Sequence, residues 1–359
     1  MTFIQFSAGL LFLIVGAETL VRGASRLAAT FGLSPLVIGL TVVAFGTSSP
    51  ELAVSIKATL SGQGSLAVGN VIGSNIFNIL FILGLSALIV PLYVSQQLIR
   101  LDVPLMIVLS VIVLVMSLDG QIGRADGLLL VVGIVSYIGF LIYQSRTAQT
   151  RAESTHADAG DQAGASSWVI NVILVLVGLG LLVLGSRWLV QSAVVFATQL
   201  GVSELVIGLT IVAAGTSLPE VVTSVIAAIR GERDMAVGNV IGSNLFNLMA
   251  VLGMAGIVAP AGIEVSSATV RFDIPVMIAV AFACLPIFFT GGTISRWEGA
   301  LLLGYYVAFT LYVVLAATQH DALQEFGVAM LYFVVPLTVV TIGVVSLQEL
   351  RGKNKGSPG

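Results

Sequence analysis

One segment of the sequence occurs twice, and this duplication restricts the fold more than any other feature. A shift of 169 positions lays residues 36–91 over residues 205–260, with 30 identities in 56 positions. Nine consecutive residues, 67–75, return unchanged as 236–244. Self-similarity on this scale indicates two copies of one structural unit within a single chain.

Both copies consist mainly of apolar stretches. Hydrophobic residues make up 57% of the chain and charged residues only 9%, which excludes a soluble globular protein. Several runs approach the roughly 20 apolar residues that a membrane-spanning helix needs. We predict eleven spans, at about 3–21, 35–60, 66–90, 102–118, 126–144, 168–186, 204–229, 236–258, 273–290, 299–318 and 325–346.

The repeat divides the spans into two units of five. Weaker similarity extends the repeat beyond residues 36–91, since Arg100 and Asp102 recur as Arg271 and Asp273. Because five is odd, the second unit must enter the membrane from the opposite face, which predicts an inverted repeat. The predicted fold is an all-α membrane protein with helices broken at an ion site and one extra C-terminal transmembrane helix. Its parts are a first unit at 1–144, a polar cytoplasmic connector at 145–167, a second unit at 168–318, and the extra helix with a basic tail at 319–359.

The basic residues predict an orientation. If the N-terminus is outside, eleven of the fifteen Lys and Arg residues fall on the cytoplasmic side. The positive-inside rule therefore favours an external N-terminus and a cytoplasmic C-terminus, in a multi-pass protein of the cell membrane.

Several functional classes lack the residues that they need. A net charge of −3 offers no basic surface for nucleic acid, and the chain has no phosphate-binding loop for ATP. Cys284 is the single cysteine, and His156 and His320 are isolated, so no zinc motif exists. An intramembrane protease would need an aspartate dyad, a Ser–His pair or a zinc motif at span depth, and none is present. We therefore predict neither an enzyme nor a resident cofactor.

Two glutamates lie in the middle of apolar spans. Glu51 ends the sequence GTSSPE and Glu220 ends its repeat copy GTSLPE. Carboxylates at bilayer depth are rare and by default mark an ion or substrate path. The proline before each glutamate disfavours a continuous helix, so the helix should break there and free backbone oxygens that hard cations bind. No Lys or Arg lies at mid-span to neutralise these glutamates structurally.

A second polar element follows in each unit. Asn70, Ser74 and Asn78 are spaced four apart, which places them on one helix face, and Asn239, Ser243 and Asn247 repeat the pattern. Their oxygens and the two carboxylates predict a cage for one divalent cation. For Asn70, Asn75, Asn239 and Asn244, hydrogen bonds between helices are at least as good an explanation as ion contact. Capping and interface anchoring explain the acidic residues at span starts, namely Asp102, Asp126, Asp273 and Glu298.

These motifs resemble those of the cation/calcium antiporter superfamily, and in particular the prokaryotic sodium/calcium exchangers. Their two repeats carry a GTS-x-PE element followed by GSN-x-x-N or GSN-x-x-D. The resemblance implies that Glu51 and Glu220 bind both calcium and sodium, and that the first and sixth spans slide past a fixed core. It implies further ligands at Thr47, Ser48, Thr216, Ser217, Ser74, Ser243, Asn78, Asn247, and the main-chain oxygens near Ala44 and Ala213.

The sequence departs from the potassium-dependent relatives at one site position. Those relatives typically carry Asp at the end of the second motif, where this chain has Asn247. The lower site charge argues against potassium co-transport.

The predicted function is a secondary antiporter that exchanges sodium for calcium by alternating access. Its partners are Ca²⁺, Na⁺ and the lipid bilayer, while the oligomeric state stays open. Two alternatives remain at this point. A desolvated carboxylate can accept a proton, so the exchange could be proton-coupled. A cation channel is the other, although channels usually build their pores from rings of groups in an oligomer.

Overall fold

The fold is almost entirely helical. The structure is a computed structural model, which describes residues 2–153, 166–289 and 291–336 together with residues 339 and 343. The first unit contains α1 (Thr2–Phe31), α2 (Pro35–Thr47), α3 (Ser49–Leu60), α4 (Gly64–Ile89), β1 (Leu92–Tyr93), α5 (Leu98–Asp119), β2 (Gln121–Ile122) and α6 (Arg124–Glu153). The second contains α7 (Ser166–Gln199), α8 (204–215), α9 (Leu218–Ile229), α10 (Arg233–Val258), β3 (Ile263–Glu264), α11 (Thr269–Phe289), β4 (Thr293–Ile294) and α12 (Arg296–Ala317). A last helix, α13, covers 322–334.

Most of these helices suit a lipid bilayer. Among the described residues, eight helices are long and apolar enough to cross a membrane, or nine if the bent pair α2 and α3 is one span. The α9 helix is apolar but shorter. The chain is therefore a multi-pass membrane protein, as predicted. Parts of the predicted connector at 145–167 and of the extra span and tail at 319–359 lie outside the described residues, so the domain boundaries stay a prediction.

The first helix of one unit packs along the first helix of the other. A Cβ added at Gly9 would lie 2.9 Å from Leu189 N, and one added at Gly23 would lie 3.0 Å from Asn171 O. Residues early in α1 therefore contact residues late in α7, and residues late in α1 contact residues early in α7, so the two helices run antiparallel. Glycines allow their backbones to approach closely. Antiparallel packing of equivalent helices is what an inverted repeat requires, and it supports that interpretation.

Short strands also join the two units. Leu92 pairs with Ile294 in β1 and β4, and Gln121 pairs with Glu264 in β2 and β3, both antiparallel. The described strands therefore pair across the units, and each unit contributes one strand to each pair. The hydrophobic core is likewise shared, because its buried residues come from helices of both units.

Each unit contains π-helical turns at matching positions. They occur at Gly39–Val43, Asn78–Leu83, Leu98–Asp102, Gly208–Val212, Asn247–Val251 and Thr269–Asp273. Such turns are frequently found at functional sites. Asn78 and Asn247 each begin one, which is a feature that the sequence pattern did not predict.

The acidic residues at span starts behave differently from one another. Glu298 forms a capping box with Ser295, and Asp126 accepts a hydrogen bond from the Gly123 amide at 2.9 Å, so capping is confirmed for both. For Asp102 the capping prediction is wrong, because this residue lies inside α5, beyond the first helical turn. Its buried carboxylate instead accepts a 2.8 Å hydrogen bond from the Tyr137 hydroxyl.

Candidate cation-binding site

Two helix breaks form the centre of the molecule. The α2 helix ends at Thr47 and α3 begins at Ser49, with a bend of 43° between them. In the repeat copy, α8 ends at Gly215 and α9 begins at Leu218. Proline occupies the first turn of α3 and of α9, where its missing N–H leaves no hydrogen bond unmade. The predicted breaks are confirmed, and Ser48 and Ser217 lie at them.

Both glutamates lie in the first turn of the helix that follows a break. Glu51 and Glu220 are each only 1% exposed. The positive end of a helix dipole stabilises a carboxylate placed there. Within the described residues neither glutamate forms a salt bridge, since the two salt bridges found there both belong to Glu18. The two carboxyl groups are therefore buried without a cationic side chain beside them.

Each carboxylate is held by a serine from the other unit. Ser217 Oγ donates a hydrogen bond to Glu51 Oε1 at 2.9 Å, and Ser48 Oγ donates one to Glu220 Oε1 at 3.1 Å. Ser74 Oγ lies 3.3 Å from Ser217 Oγ. These two hydrogen bonds between the units place the two helix breaks side by side, so the two carboxylates face a common centre.

Several buried oxygens around this centre make no hydrogen bond to any described residue. They are Glu51 Oε2, Glu220 Oε2, Asn78 Oδ1, Asn247 Oδ1, Ser243 Oγ and Thr216 Oγ1. Leaving a buried polar atom unpaired costs about 1–3 kcal/mol, and more for a charged one. Carboxylate, amide and hydroxyl oxygens are the ligands that Ca²⁺ and other hard cations prefer. The donor set therefore fits such a cation, although no group of three or more His, Cys, Asp or Glu side chains gathers in the part of the chain that the structure describes.

The remaining predicted site residues surround this centre unequally. The Thr47 hydroxyl lies 3.2 Å from Asn239 Oδ1, and the Thr216 hydroxyl lies beside the Glu51 carboxylate. Ala44 is buried, and its carbonyl accepts the Ser48 amide at 3.0 Å. Its counterpart Ala213 is exposed. The two alanines occupy equivalent positions in the repeat, but their burial in the structure differs.

The asparagines outside the predicted ligand set make hydrogen bonds between helices. Asn70 Nδ2 donates to Ser55 Oγ at 3.0 Å, and Asn239 Nδ2 donates to Ser224 Oγ at 2.9 Å. Asn75 and Asn244 bond to the opposite unit. The explanation by interhelical hydrogen bonds is confirmed for these four residues.

The two units differ most in how tightly a broken helix covers its neighbour. The α2 helix packs on α10, because a Cβ at Gly238 would lie 2.9 Å from Leu36 O and one at Gly242 would lie 2.7 Å from Leu40 Cα. The equivalent glycines of α4 are open. A Cβ at Gly69 or Gly73 would meet no described atom within 4 Å, and the same holds at Gly208 of α8. The first turns of α8 therefore leave this face of α4 uncovered, and we call the uncovered face at Gly69 and Gly73 the cleft. The α8 helix meets α4 through its last residues, 213–215.

On the opposite side of the molecule, polar contacts join α1 to the turn that follows α9. Arg230, which follows α9, donates to Glu18 of α1 at 3.0 Å through Nε, and Ser25 of α1 donates to Glu232 at 2.5 Å. The repeat counterparts of Arg230 and Glu232 are Ser61 and Gln63, which carry no charge. The chain therefore has charged contacts on one side of the membrane that its own repeat does not reproduce on the other.

Known proteins share this sequence and this fold. The model of the sodium/calcium exchanger protein family matches residues 1–145 and 170–315. The sodium/calcium exchanger MaX1 of Methanosarcina acetivorans is 32% identical over 340 residues, covering 86% of this chain and 97% of its own. The inner membrane protein YrbG of Escherichia coli is 38% identical over 279 residues, covering 77% of this chain and 86% of its own.

A solved exchanger has the same architecture. The structure of the sodium–calcium exchanger NCX_Mj soaked with 10 mM Na⁺ and zero Ca²⁺ matches with a TM-score of 0.73 and 30% sequence identity, over 88% of this chain and 98% of that one. The family match spans both units and includes both glutamates. The chain belongs to the sodium/calcium exchanger family of cation antiporters.

Proposed function

We propose that this protein exchanges sodium for calcium through the site between the two helix breaks. The observation that carries the proposal is the set of buried, unpartnered oxygens around Glu51 and Glu220. Two carboxylates balance one divalent cation, and serine, threonine and asparagine oxygens supply the remaining ligands. The names of MaX1 and NCX_Mj support calcium and sodium as the two cargoes.

Competition for one cage explains why transport is an exchange. Sodium ions and calcium require the same carboxylate oxygens, so binding of one releases the other. If more positive charge enters than leaves, each extra elementary charge contributes about 2.3 kcal/mol per 100 mV of membrane potential. The membrane potential then helps sodium to enter and calcium to leave.

Alternating access is supported by the unequal packing of the two units. The cleft at Gly69 and Gly73 lies on the side where α4 begins and borders Asn70, whose amide donates to the Glu51 carbonyl at 3.3 Å. The equivalent route along α10 is filled by α2. With the N-terminus outside the cell, the cleft opens outward and the contacts of Glu18 and Ser25 close the cytoplasmic side. The excess of basic residues on that side, and the description of YrbG as an inner membrane protein, support this placement in the cell membrane.

The proposal is tested by radioactive calcium uptake into proteoliposomes. Vesicles preloaded with sodium should accumulate calcium when diluted into sodium-free buffer, and vesicles without a sodium gradient should not. A pH gradient imposed in place of sodium should drive no uptake. Uptake driven by the pH gradient alone would replace sodium with protons as the coupling ion, and calcium flux without any counter-ion would indicate a channel.

The outward cleft predicts which introduced cysteines react from outside. A cysteine at Gly73 or Gly208 is expected to react with a membrane-impermeant maleimide in intact cells, because both positions border open space. The single native cysteine, Cys284, is buried and gives a low background. A cysteine at Ala67, which is on the same helix as Gly73 but fully buried, is the matched control and should stay unlabelled.

The labelling experiment also tests the orientation. Reaction at Gly73 and Gly208 only in inverted vesicles would place the cleft on the cytoplasmic side and reverse the proposed topology. Equal reaction at Ala67 and Gly73 would contradict the cleft itself. Saturating calcium should slow labelling if α8 closes over the loaded site.

A further inference from the structure

We propose that Asn75 and Asn244 are positioning residues that set the direction in which the amides of Asn247 and Asn78 face the cation. The proposal rests on the proposed function, because it concerns the same cage. An asparagine side chain has a hydrogen-bond acceptor on one side and a donor of nearly the same size on the other. A cation is attracted by the oxygen and repelled by the NH₂ group, so a ligand asparagine must be held in one of two orientations.

The orientation of Asn75 is fixed by two groups that can only accept. Its Nδ2 donates to the backbone carbonyl of Asn244 at 3.3 Å and to Met277 Sδ at 3.7 Å. A carbonyl oxygen and a thioether sulfur have no hydrogen to give, so the Asn75 oxygen cannot turn toward them. Its Oδ1 is consequently directed at Asn247.

Asn247 takes its orientation from Asn75. Its Nδ2 donates to Asn75 Oδ1 at 3.1 Å, so its own oxygen must point the other way. That oxygen is buried and has no partner among the described residues. It belongs to the set of unpartnered oxygens around the two glutamates. The amide of Asn75 thus turns the oxygen of Asn247 toward the cage.

The repeat reproduces the same chain of contacts from the other side. Asn244 Nδ2 donates to Met106 Sδ at 3.4 Å, and Asn78 Nδ2 donates to Asn244 Oδ1 at 3.0 Å. Asn78 Oδ1 is again buried and unpartnered within the described chain. All six residues are buried, and the methionines come from α5 and α11, outside the helices that carry the ligands. Two chains of hydrogen bonds, Met277–Asn75–Asn247 and Met106–Asn244–Asn78, therefore each fix the direction of one ligand oxygen.

The test compares Asn75→Ala in two backgrounds. In the otherwise native protein, Asn75→Ala should weaken calcium binding by roughly tenfold, as removal of groups that orient metal ligands commonly does. In the Asn247→Asp background it should cause no further loss of affinity, since a carboxylate presents an oxygen to the cation in either orientation and has no N–H to donate to Asn75 Oδ1. In the Asn78→Asp background the effect of Asn75→Ala should stay at roughly tenfold, because Asn78 is oriented by Asn244. Calcium affinity is measured by calorimetry on the purified protein.

The outcome separates positioning from a general structural role. An equal loss of affinity in the Asn247→Asp and Asn78→Asp backgrounds would overturn the proposal, and so would native affinity in Asn75→Ala. If Asn75→Ala gives no cooperative melting in any background, the residue is needed for folding and the inference is also overturned at this position. Asn244→Ala with Asn78→Asp repeats the test independently in the other unit.

Failure of this inference can be told from failure of the proposed function. Calorimetry reports calcium affinity without regard to the coupling ion, so a finding that protons drive uptake leaves the comparison of backgrounds intact. If the unmodified protein binds no calcium, the proposed function fails first. If it binds calcium and exchanges it for sodium while the variants show no dependence on background, only the role of Asn75 and Asn244 is lost.

Discussion

Replacement of Glu51 or Glu220 by glutamine is expected to reduce sodium-driven calcium uptake by ~100-fold or more. Each variant removes one of two charges that balance the divalent cation. Removing one partner of a buried charged interaction costs about 3–5 kcal/mol, and every 1.4 kcal/mol corresponds to roughly tenfold in affinity. Uptake by proteoliposomes and calcium affinity by calorimetry should fall together.

The fold of these variants should survive, which makes the loss attributable to charge. Glutamine has the shape of glutamate, and its oxygen can still accept the bond from Ser217 or Ser48. Melting temperatures in detergent should therefore stay close to that of the native protein. Glu204→Gln is the control, because Glu204 is exposed at the start of α8. Normal transport by both Glu51→Gln and Glu220→Gln would place the cation elsewhere.

Gly178→Ala is expected to destabilise the protein strongly. A Cβ at this position would lie 2.6 Å from Leu20 N and 2.8 Å from Gly16 O, both of which are backbone atoms of α1. The two helices must separate to admit the methyl group. Overpacking of this kind costs about 1–3 kcal/mol, and a backbone contact leaves little room for side-chain relaxation. Thermal melting of the purified protein in detergent measures the effect.

Gly180→Ala is the matched control, two residues away on the same helix. Gly180 is exposed, and a Cβ there would meet no described atom within 4 Å. Because alanine favours a helix over glycine by up to about 1 kcal/mol, this variant should melt at the native temperature or above it. Equal melting temperatures for Gly178→Ala and Gly180→Ala would mean that α1 and α7 are not packed this closely.

The sequence predicted those features that single residues or repeated patterns determine. Long apolar runs predicted the spans, and proline before a mid-span carboxylate predicted the helix breaks, while the role of the two glutamates as cation ligands stays a prediction. The spacing of Asn70, Ser74 and Asn78 predicted a polar face on α4. In each case the physical cause is local: the length of the bilayer, the missing N–H of proline, or the helical period.

Other features depend on contacts between distant residues and left no local signal. The pairing of Ser217 with Glu51 and of Ser48 with Glu220 crosses the two units, whereas each motif read alone places serine beside its own glutamate. The π-helical turns at Asn78 and Asn247 have no side-chain period of their own. The cleft at Gly69 and Gly73 is a difference between two nearly identical segments, so sequence similarity by itself predicts its absence. The capping prediction for Asp102 was wrong because α5 begins earlier than the apolar run suggests.

The contacts that each unit makes with the other have a consequence for biosynthesis. A ribosome completes residues 1–153 before their partners in the second unit exist, so α1 enters the membrane without α7 and β1 without β4. At that stage the carboxylate of Glu51 has no Ser217 to hold it. The first unit must therefore remain in the bilayer as a folding intermediate without its contacts to the second unit. Its final packing can begin only after the second unit has been inserted. A chain truncated between the units should accordingly be a substrate for membrane quality-control proteases, whereas co-expression of the missing unit should protect it.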